Sequence, residues 1–388
     1  MSQSAQSHNS SLNHVFIFLE IFSQEGGIQS YVKDIFRAYL ALYETKPSSA
    51  EQAEAFLLRD VPGCDNPFET GLIKFHYLKT LPAWRGRLKL TFSLLSCLVL
   101  RRPRHVFCGH IKLAPLVSLL CRFLGIPYTV LTYGKEVWER LPDWQRQALV
   151  QATSIWTISR YSRDRLTQAN GIEPKKVRIL PCVVDGNAFT PAAKPRELIE
   201  KYGLAHSKVL MTVARLWSGD IYKGVDVTIR ALPKIASAFT EIKYLVIGRG
   251  DDRPRLERLA NDLGVGDRVV FAGFVPTEAL VEHYRVADAY IMPSQEGFGI
   301  VYLEAMACGI PVLSGDGDGS ADPLQDGRLG WRVPYRDPDA VAAACIEILQ
   351  GNDLRCRGQW LREQTLAKFS REVLVKQLQA LLSEFGIF

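Results

Sequence analysis

Short runs of β-branched and aromatic residues recur along the 388-residue chain and alternate with longer segments of helical period. Each run stops near a Gly, Ser, Pro or Asp. This alternation is typical of a parallel sheet covered by helices on both faces. In the first half of the chain the strand candidates are HVFIFLE (14–20), AFLLRDV (55–61), HVFCGH (105–110), YTVLTYG (128–134), SIWTISR (154–160) and VRILPCVVD (177–185).

The alternation is interrupted at residues 186–204, where GNAFTPAAKPRELIEKYGL is rich in Pro, Ala and charge, as a connection between domains is. It then resumes. We therefore predict two doubly wound, Rossmann-like α/β domains, residues 1–188 and 189–365, facing across a cleft, with a C-terminal helix in 366–388 packing back on the first domain. Ligands of such sheets bind beyond the carboxyl ends of the strands. The later strand candidates are KVLMTVARL (208–216), KYLVIGRG (243–250), RVVFAGFV (268–275), AYIMPS (289–294) and PVLSG (311–315).

Nothing in the sequence predicts a membrane span or a secretory leader. No run reaches about 18 consecutive apolar residues, and the N-terminal MSQSAQSHNSSLNH is polar throughout. The eight cysteines are scattered without the close pairs of metal or redox sites, so we expect reduced core residues. We expect a cytoplasmic protein.

The formal net charge of +6 is unevenly distributed. No Asp or Glu occurs between Glu69 and Glu136. Within this stretch, AWRGRLKLTFSLLSCLVLRRPR (83–104) has the composition of an apolar helix with basic flanks. Residues 74–112 therefore either contact an anionic membrane surface or contain a core helix with solvated cationic ends, and both interpretations stay open. No nucleic-acid motif accompanies the charge, so no nucleic-acid partner is expected.

Two carboxylates, Glu296 and Glu304, stand in the otherwise apolar and glycine-rich segment PSQEGFGIVYLEAMACGIPVLSG (293–315). A strand, a short helix ending at Gly309 and a second strand are predicted here. Gly297 and Gly299 leave the amides at the helix start uncovered, where the helix dipole favours an anion such as phosphate. Because carboxylates would repel that phosphate, we expect the two glutamates to bind the hydroxyl groups of a sugar and a ribose.

This segment resembles the paired-glutamate signature of the family four retaining glycosyltransferases, which have the two-domain GT-B fold. VARLWSGDIYKGVD (213–226) is similar to the family element in which an arginine and a lysine hold the donor diphosphate. Arg215 and Lys223 match those two cations, although their spacing is longer than in many members. YLVIGRGDD, VVFAGFVP, WTISRYSRDRL and GGIQSYVKD also resemble family segments, so the resemblance covers nearly the whole chain.

The resemblance implies that Glu304 binds the nucleotide ribose and that Glu296 contacts the donor sugar. It also implies that Arg215 and Lys223 stabilise the charge that develops on the departing diphosphate, so that no metal is needed. The acidic DGD at 316–318 is expected to be a turn after a strand.

By the same resemblance, backbone groups contribute to donor binding. The amides of Phe298 and Gly299, beside Gly297, would belong to the phosphate cradle. Gly26 and Gly27, in the first loop, would let the backbone approach the donor closely, or alternatively only form a turn.

The first domain departs from the family pattern. Many relatives have a histidine after the strand that here reads VLTYGKEVW (130–138), and Tyr133 takes its place. A tyrosine can donate a hydrogen bond but is a poor general base at its normal pKa, so we expect the leaving phosphate oxygen to accept the proton of the acceptor. His110 and Glu136 are further candidate contacts of acceptor or sugar, with a purely structural histidine as the alternative for the first.

The sequence thus favours a metal-independent retaining hexosyltransferase without a cofactor. Its donor would be a nucleotide sugar, a UDP-sugar first and a GDP-sugar second. The basic segment favours a lipid-linked or membrane-proximal acceptor, in surface polysaccharide or glycolipid biosynthesis, and a peripheral position on the inner face of the plasma membrane. The alternatives are a non-catalytic regulator that binds sugar nucleotides, and another GT-B enzyme such as an epimerase or a phosphorylase.

Overall fold

A computed structural model describes residues 13–44, 53–69 and 71–386. The chain forms two compact units, residues 1–181 with 374–388, and residues 182–373. The division lies between Pro181 and Cys182 and not at the expected 188/189, so the whole stretch predicted as a linker belongs to the second unit. Part of that stretch is a helix, Arg196–Tyr202, and not an extended connection.

The first unit contains a parallel sheet with the strand order β3-β2-β1-β4-β5-β6-β7. Its helices are α1 (Gly27–Glu44), α2 (Ala83–Arg101), α3 (Ala114–Leu124), α4 (Asp143–Gln151) and α5 (Arg160–Asn170). Its strands are β1 (His14–Phe18), β2 (Ala53–Leu57), β3 (Ile73–Tyr77), β4 (His105–Cys108), β5 (Tyr128–Leu131), β6 (Ser154–Thr157) and β7 (Val177–Ile179).

The second unit repeats the plan with the order β10-β9-β8-β11-β12-β13. Its strands are β8 (Lys208–Val213), β9 (Ile242–Ile247), β10 (Val269–Gly273), β11 (Ala289–Met292), β12 (Val312–Gly315) and β13 (Trp331–Val333). The remaining helices are α6 (Arg196–Tyr202), α7 (Val225–Ala238), α8 (Arg253–Asp262), α9 (Thr277–Val286), α10 (Ile300–Ala307), α11 (Pro338–Gln350), α12 (Gly358–Phe369) and α13 (Arg371–Ser383), the last crossing the division between the units.

Both sheets therefore have the predicted doubly wound, Rossmann-like architecture. In each sheet the strand order reverses beside the first strand, between β1 and β4 and between β8 and β11. At such a reversal the following connections diverge to opposite faces, which opens a crevice at the carboxyl ends of the strands. The central strands β1, β4, β5, β6, β11 and β12 are buried along their whole length, which explains why their runs are almost continuously apolar.

Two strands were not predicted from the sequence. β3 and β13 are edge strands, paired on one side only. β3 buries only Ile73 completely, and β13 has just three residues. The exposed side chains of β3 weaken its hydrophobic pattern, and β13 is too short to show an alternating one.

Helix α2, in the basic segment, has a buried face and an exposed apolar stripe. One face packs into the core through residues that include Leu90 and Leu94. The opposite side exposes Trp84, Leu88 and Phe92, which follow each other at four-residue spacing and so form one stripe. None of the helices in the described ranges could span a bilayer.

Candidate functional site

Lys223 and Glu296 meet at the strand reversal of the second sheet. Lys223 ends a short 3-10 segment, Ser218–Lys223, after β8, and Glu296 lies in the loop after β11. Because β8 and β11 are neighbours in the sheet, their following loops start side by side. The Nζ atom of Lys223 lies 2.6 Å from Oε1 of Glu296, and their side chains are only 19% and 14% exposed.

The backbone holds the two loops together. Gly224 adopts a φ of +75°, and a Cβ atom there would lie 2.4 Å from the carbonyl oxygen of Pro293. Only glycine permits that approach. The N–H of Gln295 donates to the carbonyl oxygen of Tyr222 at 3.2 Å. The direct sequence neighbours of Lys223 and Glu296 thus fix the distance between these two side chains.

The charge on Lys223 is stable in this setting. Burial lowers the pKa of its ammonium group, but the negative charge of Glu296 and the nearby Tyr222 and Asp220 outweigh that effect, and the net pKa is raised above its usual value. Lys223 therefore presents a positive charge at neutral pH, in surroundings from which water is largely excluded.

Arg215 is the second cation of the site. One of its Nη atoms lies 2.8 Å from Oδ2 of Asp220, whose side chain is only 5% exposed, while 74% of the Arg215 side chain remains exposed. The buried carboxylate orients a guanidinium group that solvent, or an anionic ligand, can still reach. A small pocket open to solvent adjoins the pair and is lined by Arg215, Leu216, Trp217, Asp220, Ile221, Lys223, Val225, Asp226, Asp252, Arg255 and Leu256.

Asp318 braces the loop that carries Glu296. Its carboxylate accepts the N–H of Glu296 at 2.6 Å and the N–H of Ser320 at 2.9 Å, as well as the Ser320 hydroxyl. Burial, opposed by these hydrogen bonds and assisted by the Glu296 charge, raises the pKa of Asp318 to about 6. A Cβ at Gly319 would lie 2.0 Å from the Gly297 carbonyl oxygen, so the two segments interlock. Sequence reasoning assigned 316–318 to a turn and missed this role, because the contact is not local.

The predicted phosphate cradle lies at the start of α10. Gly299 caps the helix with a φ of +90°, and a Cβ there would lie 2.4 Å from the Tyr302 ring. Tyr302 is buried and donates to the Met292 carbonyl oxygen at 2.7 Å, so it cannot easily move aside. The Phe298 ring is buried and packs edge-on against Phe369, with 5.8 Å between ring centroids. Phe298 therefore anchors the loop by its side chain and leaves only its backbone for a ligand.

Glu304 is positioned by a buried tyrosine. The hydroxyl of Tyr284, in α9, donates to Oε2 of Glu304 at 2.7 Å. Burial, and then the Glu304 charge, raises the pKa of Tyr284 well above its usual value, which keeps this hydroxyl a donor. The pKa of the buried Tyr290 is raised by burial and also by the charges of both Glu304 and Glu296, so the two glutamates lie within electrostatic reach of one phenol.

Gly26 and Gly27 lie in the first unit, where Gly27 begins α1. A Cβ at Gly27 would meet no atom within 4 Å, and one at Gly26 would contact only the flexible Gln29 side chain. Internal packing therefore does not require glycine at 27, and its role in ligand approach stays a prediction.

Hydrogen bonds to a distant carboxylate, which the sequence did not predict, hold the loop before these glycines. The buried carboxylate of Asp60, beyond β2, accepts the N–H groups of Ile21, Phe22 and Ser23 at 2.7, 3.0 and 2.7 Å. Three amides converging on one carboxylate fix the path of this loop after β1. No periodicity or motif signals such a contact.

His110 is a neutral hydrogen-bonding group. Burial, and then the nearby Lys112 and Arg59, lowers the pKa of its imidazole to about 4. Nδ1 accepts the N–H of Lys112 at 3.0 Å. A neutral ring that accepts at Nδ1 carries its proton on Nε2, so His110 is a donor at that atom and not a cation at neutral pH.

Tyr133 and Glu136 form hydrogen bonds that stabilise the loop after β5, in which both lie. The Tyr133 hydroxyl donates to the Gly109 carbonyl oxygen at 2.8 Å, and its N–H donates to Oε1 of Glu136 at 2.5 Å. Burial raises the pKa of Glu136, although hydrogen bonds from the backbone of Tyr133, Glu136 and Gly134 oppose this effect. The proton that Tyr133 could offer a sugar is thus already donated within the fold, and contacts of both residues with a ligand stay a prediction.

Within residues 13–44, 53–69 and 71–386, His, Cys, Asp and Glu side chains form no group of three or more that could hold a metal ion. Metal independence nevertheless stays a prediction, because a bound substrate can itself contribute ligands.

Comparison with known proteins relates the second unit to one family. The family model described as "Glycosyl transferases group 1" matches residues 207–351. A GDP-mannose-dependent alpha-(1-6)-phosphatidylinositol monomannoside mannosyltransferase of Mycolicibacterium smegmatis is 37% identical over 253 residues, which are 61% of this chain and 65% of that protein. The chain thus spans just under two thirds of that relative.

A protein of the same description from Mycobacterium tuberculosis is 33% identical over 261 residues, 64% of this chain and 67% of the relative. Among solved structures, a sucrose-phosphate synthase from Thermosynechococcus elongatus matches with a TM-score of 0.80 at 20% identity, covering 97% of this chain and 99% of the other. At that identity the likeness concerns the fold alone, which is GT-B with two Rossmann-like units.

Proposed function

This chain belongs to the group 1 glycosyl transferases, and from that premise we propose that it transfers mannose from GDP-mannose to a lipid-linked acceptor. We propose that transfer retains the anomeric configuration of the donor and requires no metal ion. The observation that carries the proposal is the junction of Lys223, Glu296 and Arg215 at the strand reversal of the second sheet.

The proposed donor is GDP-mannose because the two mycobacterial relatives described above are both named as GDP-mannose-dependent. The UDP-sugar favoured by the sequence has no such support. This preference rests on the names of the relatives and not on a contact to the base.

The charges at the site suit a diphosphate leaving group. When the bond to the sugar breaks, negative charge develops on the bridging oxygen. Lys223 and the exposed Arg215 guanidinium supply two positive charges, and the start of α10 adds backbone amides. Glu296 holds Lys223 before the donor arrives, and its other oxygen can accept a hydroxyl of the sugar. Glu304, fixed by Tyr284, would accept the hydroxyls of the ribose.

The anomeric configuration is retained if the acceptor hydroxyl attacks the sugar on the face from which the phosphate departs. The leaving phosphate can then accept the proton of that hydroxyl. Nothing in the loops around His110 and Tyr133 favours a side-chain base. His110 is neutral with its proton placed on Nε2, and the Tyr133 hydroxyl donates to the Gly109 carbonyl.

The proposed acceptor is lipid-linked, of the phosphatidylinositol type that the relatives' names specify. An enzyme that acts on such an acceptor must meet the membrane surface. The exposed apolar stripe of α2, within the acid-free basic segment 74–112, has the chemistry for that contact. We therefore propose a peripheral protein on the cytoplasmic face of the membrane.

The test is transfer from radiolabelled GDP-mannose to phosphatidylinositol vesicles and to a lipid extract rich in phosphatidylinositol mannosides. We expect label in the lipid phase in proportion to the GDP released, an α-linkage by NMR, and no loss of rate with EDTA. Label that stays in free mannose would contradict acceptor transfer, and a β-linkage would contradict retention.

Two variants test whether transfer depends on the assigned donor site. Lys223→Gln removes the central cation, whereas Lys234→Gln removes an exposed cation of α7 that pairs with Asp339 on the surface. We expect the first variant to lose transfer and the second to keep it. Equal activity of the two variants would refute the assigned donor site.

A further inference from the structure

A second polar site lies on the first unit, on a face of the sheet and not beyond the carboxyl ends of its strands. A solvent-open groove of about 450 Å³ runs between the strands β2 and β3 and helix α2. Its polar lining includes Glu54, Lys74, His76, Ser93, Ser96 and Arg101. None of these residues belongs to the donor site.

A buried carboxylate organises this groove. Oε2 of Glu54 lies 2.8 Å from Nε2 of His76, and its Oε1 lies 3.8 Å from Nε of Arg101. The hydrogen bond from His76, opposed by burial and assisted by the charges of His76, Lys74 and Arg101, holds the pKa of Glu54 below its usual value. The carboxylate is therefore ionised at neutral pH, and it directs its charge at two basic side chains.

The cations remain available to a ligand. Half of the Arg101 side chain is exposed, and Lys74 is exposed at the groove edge. The carboxylate that would repel an anion is only 8% exposed and is already paired with His76 and Arg101. Ser93 and Ser96 add hydroxyl donors on the wall formed by α2. Two cations and two hydroxyls around a concave surface are the groups that bind a phosphate diester.

The rim of the groove is apolar. Phe92 and Leu100 line the groove and are 67% and 77% exposed. Phe92 continues the exposed stripe of Trp84 and Leu88 along α2. A basic, hydroxyl-rich floor beside exposed aromatic and aliphatic side chains matches the layers of a bilayer surface, where phosphate lies next to acyl chains.

We propose that this groove binds the phosphate headgroup of an anionic phospholipid, while Phe92 and Leu100 insert beside the acyl chains. The occupant is a lipid of the bilayer and not a substrate of the transfer reaction. The inference rests on the proposed function in one respect, since a lipid-linked acceptor gives the enzyme a reason to dock on a membrane.

The test is co-sedimentation of the full chain with phosphatidylcholine vesicles, with and without phosphatidylglycerol, at physiological ionic strength. Arg101→Gln removes a groove cation, and Arg87→Gln removes the same charge from the same helix outside the groove. We expect Arg101→Gln to weaken binding at least about tenfold and Arg87→Gln at most about fivefold, the effect of one surface charge near an anionic bilayer. Equal losses would overturn the proposal in favour of diffuse attraction.

The variant Glu54→Gln distinguishes groove binding from diffuse attraction more clearly than Arg101→Gln does. It adds one unit of positive net charge, so diffuse attraction alone would strengthen binding to anionic vesicles. The groove predicts weaker binding instead, because Arg101 and His76 lose the group that orients them. Stronger binding of Glu54→Gln, with a melting temperature near that of the wild type, would overturn the proposal. If the variant does not fold, the comparison of Arg101 with Arg87 decides.

Two further measurements identify the ligand. Stabilisation by soluble glycerol phosphate without vesicle binding would mean that the groove binds a free phosphate, and the lipid proposal would fall. GDP should stabilise the wild type and Arg101→Gln equally, because the groove is not the donor site. If the protein binds GDP but not vesicles, the groove proposal is overturned and the proposed function stands. If it binds vesicles but not GDP, the proposed function is contradicted and the groove proposal stands.

Discussion

Lys223 and Glu296 are 73 residues apart in the chain, yet their side chains form a 2.6 Å ion pair at the carboxyl ends of two neighbouring strands. In the absence of a ligand the two opposite charges balance each other. A donor with a diphosphate and sugar hydroxyls would give each of them a new partner, so the same two side chains stabilise the empty site and recognise the donor.

Removal of Lys223 should damage both stability and catalysis. In Lys223→Gln, Glu296 keeps a largely buried charge without its cation, and we expect the free energy of unfolding to fall by about 1–3 kcal/mol. The rate of transfer should fall by about 10²-fold or more, because the leaving diphosphate loses a preorganised charge. Urea unfolding and kcat/KM for mannose transfer measure the two effects.

The double variant Lys223→Gln/Glu296→Gln provides the control. If the two groups act as a pair, the double variant should be more stable than the sum of the two single losses implies. Additive losses would show that the ion pair contributes nothing to the folded state.

Gly224→Ala should separate the two loops of the site. The substitution places a Cβ in the left-handed region and within 2.4 Å of the Pro293 carbonyl oxygen. Gly203→Ala is the matched control, because Gly203 has a similar φ of +61° but no atom within 4 Å of its Cβ position. We expect about 1–2 kcal/mol of destabilisation for Gly203→Ala and a clearly larger loss for Gly224→Ala. Equal losses would show that the close approach is unimportant.

The sequence predicted the parts of the fold that depend on repeated local pattern. All eleven strand candidates overlap a strand, and seven of these strands, such as β1 and β11, are buried along their whole length. The edge strand β3 was missed because its exposed side chains dilute the pattern, and β13 because it has only three residues. The resemblance also placed Arg215, Lys223, Glu296 and Glu304 in one unit.

The supporting contacts could not be predicted, because each joins residues without any local signal. Asp318 reaches back 22 residues to the N–H of Glu296, and Asp60 reaches back 37 residues to Ser23. An aspartate in a loop has the same local sequence pattern whether it is solvated or buried against distant amides. Such contacts depend on the path of the loops, which only the packed structure fixes.

Asp318→Asn should weaken donor binding more than it weakens the fold. An asparagine keeps one acceptor oxygen but turns an amide group toward a backbone N–H, so one brace of the Glu296 loop is lost. We expect the KM for the donor to rise by about tenfold, which corresponds to one lost hydrogen bond of about 1.4 kcal/mol. Asp316→Asn, at an exposed position two residues earlier, should leave the KM unchanged. Equal KM values for the two variants would refute the positioning role.

Stability should fall in mild acid because of buried histidines, of which His14 and His105 have the lowest pKa values. Burial lowers the pKa values of His14 and His105 to about 3, with His105 and Arg104 adding to the shift of His14. Since these folded-state values lie below the unfolded value of about 6.5, the unfolded chain binds protons first as the pH falls. The stability contributed by the neutral rings is complete above about pH 6.5 and declines toward pH 3.

The decline should be about 1.4 kcal/mol per pH unit for each histidine, hence about 2 kcal/mol per histidine between pH 6.5 and 5. Urea unfolding of the wild type and His105→Gln at these two pH values isolates one ring. The variant should lose less stability than the wild type on acidification, and the exposed His206→Gln should match the wild type. An unchanged pH dependence in His105→Gln would exclude this account.

The central claim is that the second unit binds a guanosine diphosphate donor through Glu304, Lys223 and Arg215. The most direct measurement is thermal unfolding with GDP and with UDP, for the wild type, Glu304→Gln and the surface control Glu257→Gln. GDP at a hundred times its dissociation constant should stabilise the wild type and the control by about 2.7 kcal/mol, with a smaller effect in Glu304→Gln and a smaller effect of UDP. No stabilisation by GDP, or equal stabilisation of Glu304→Gln and the control, would contradict the claim.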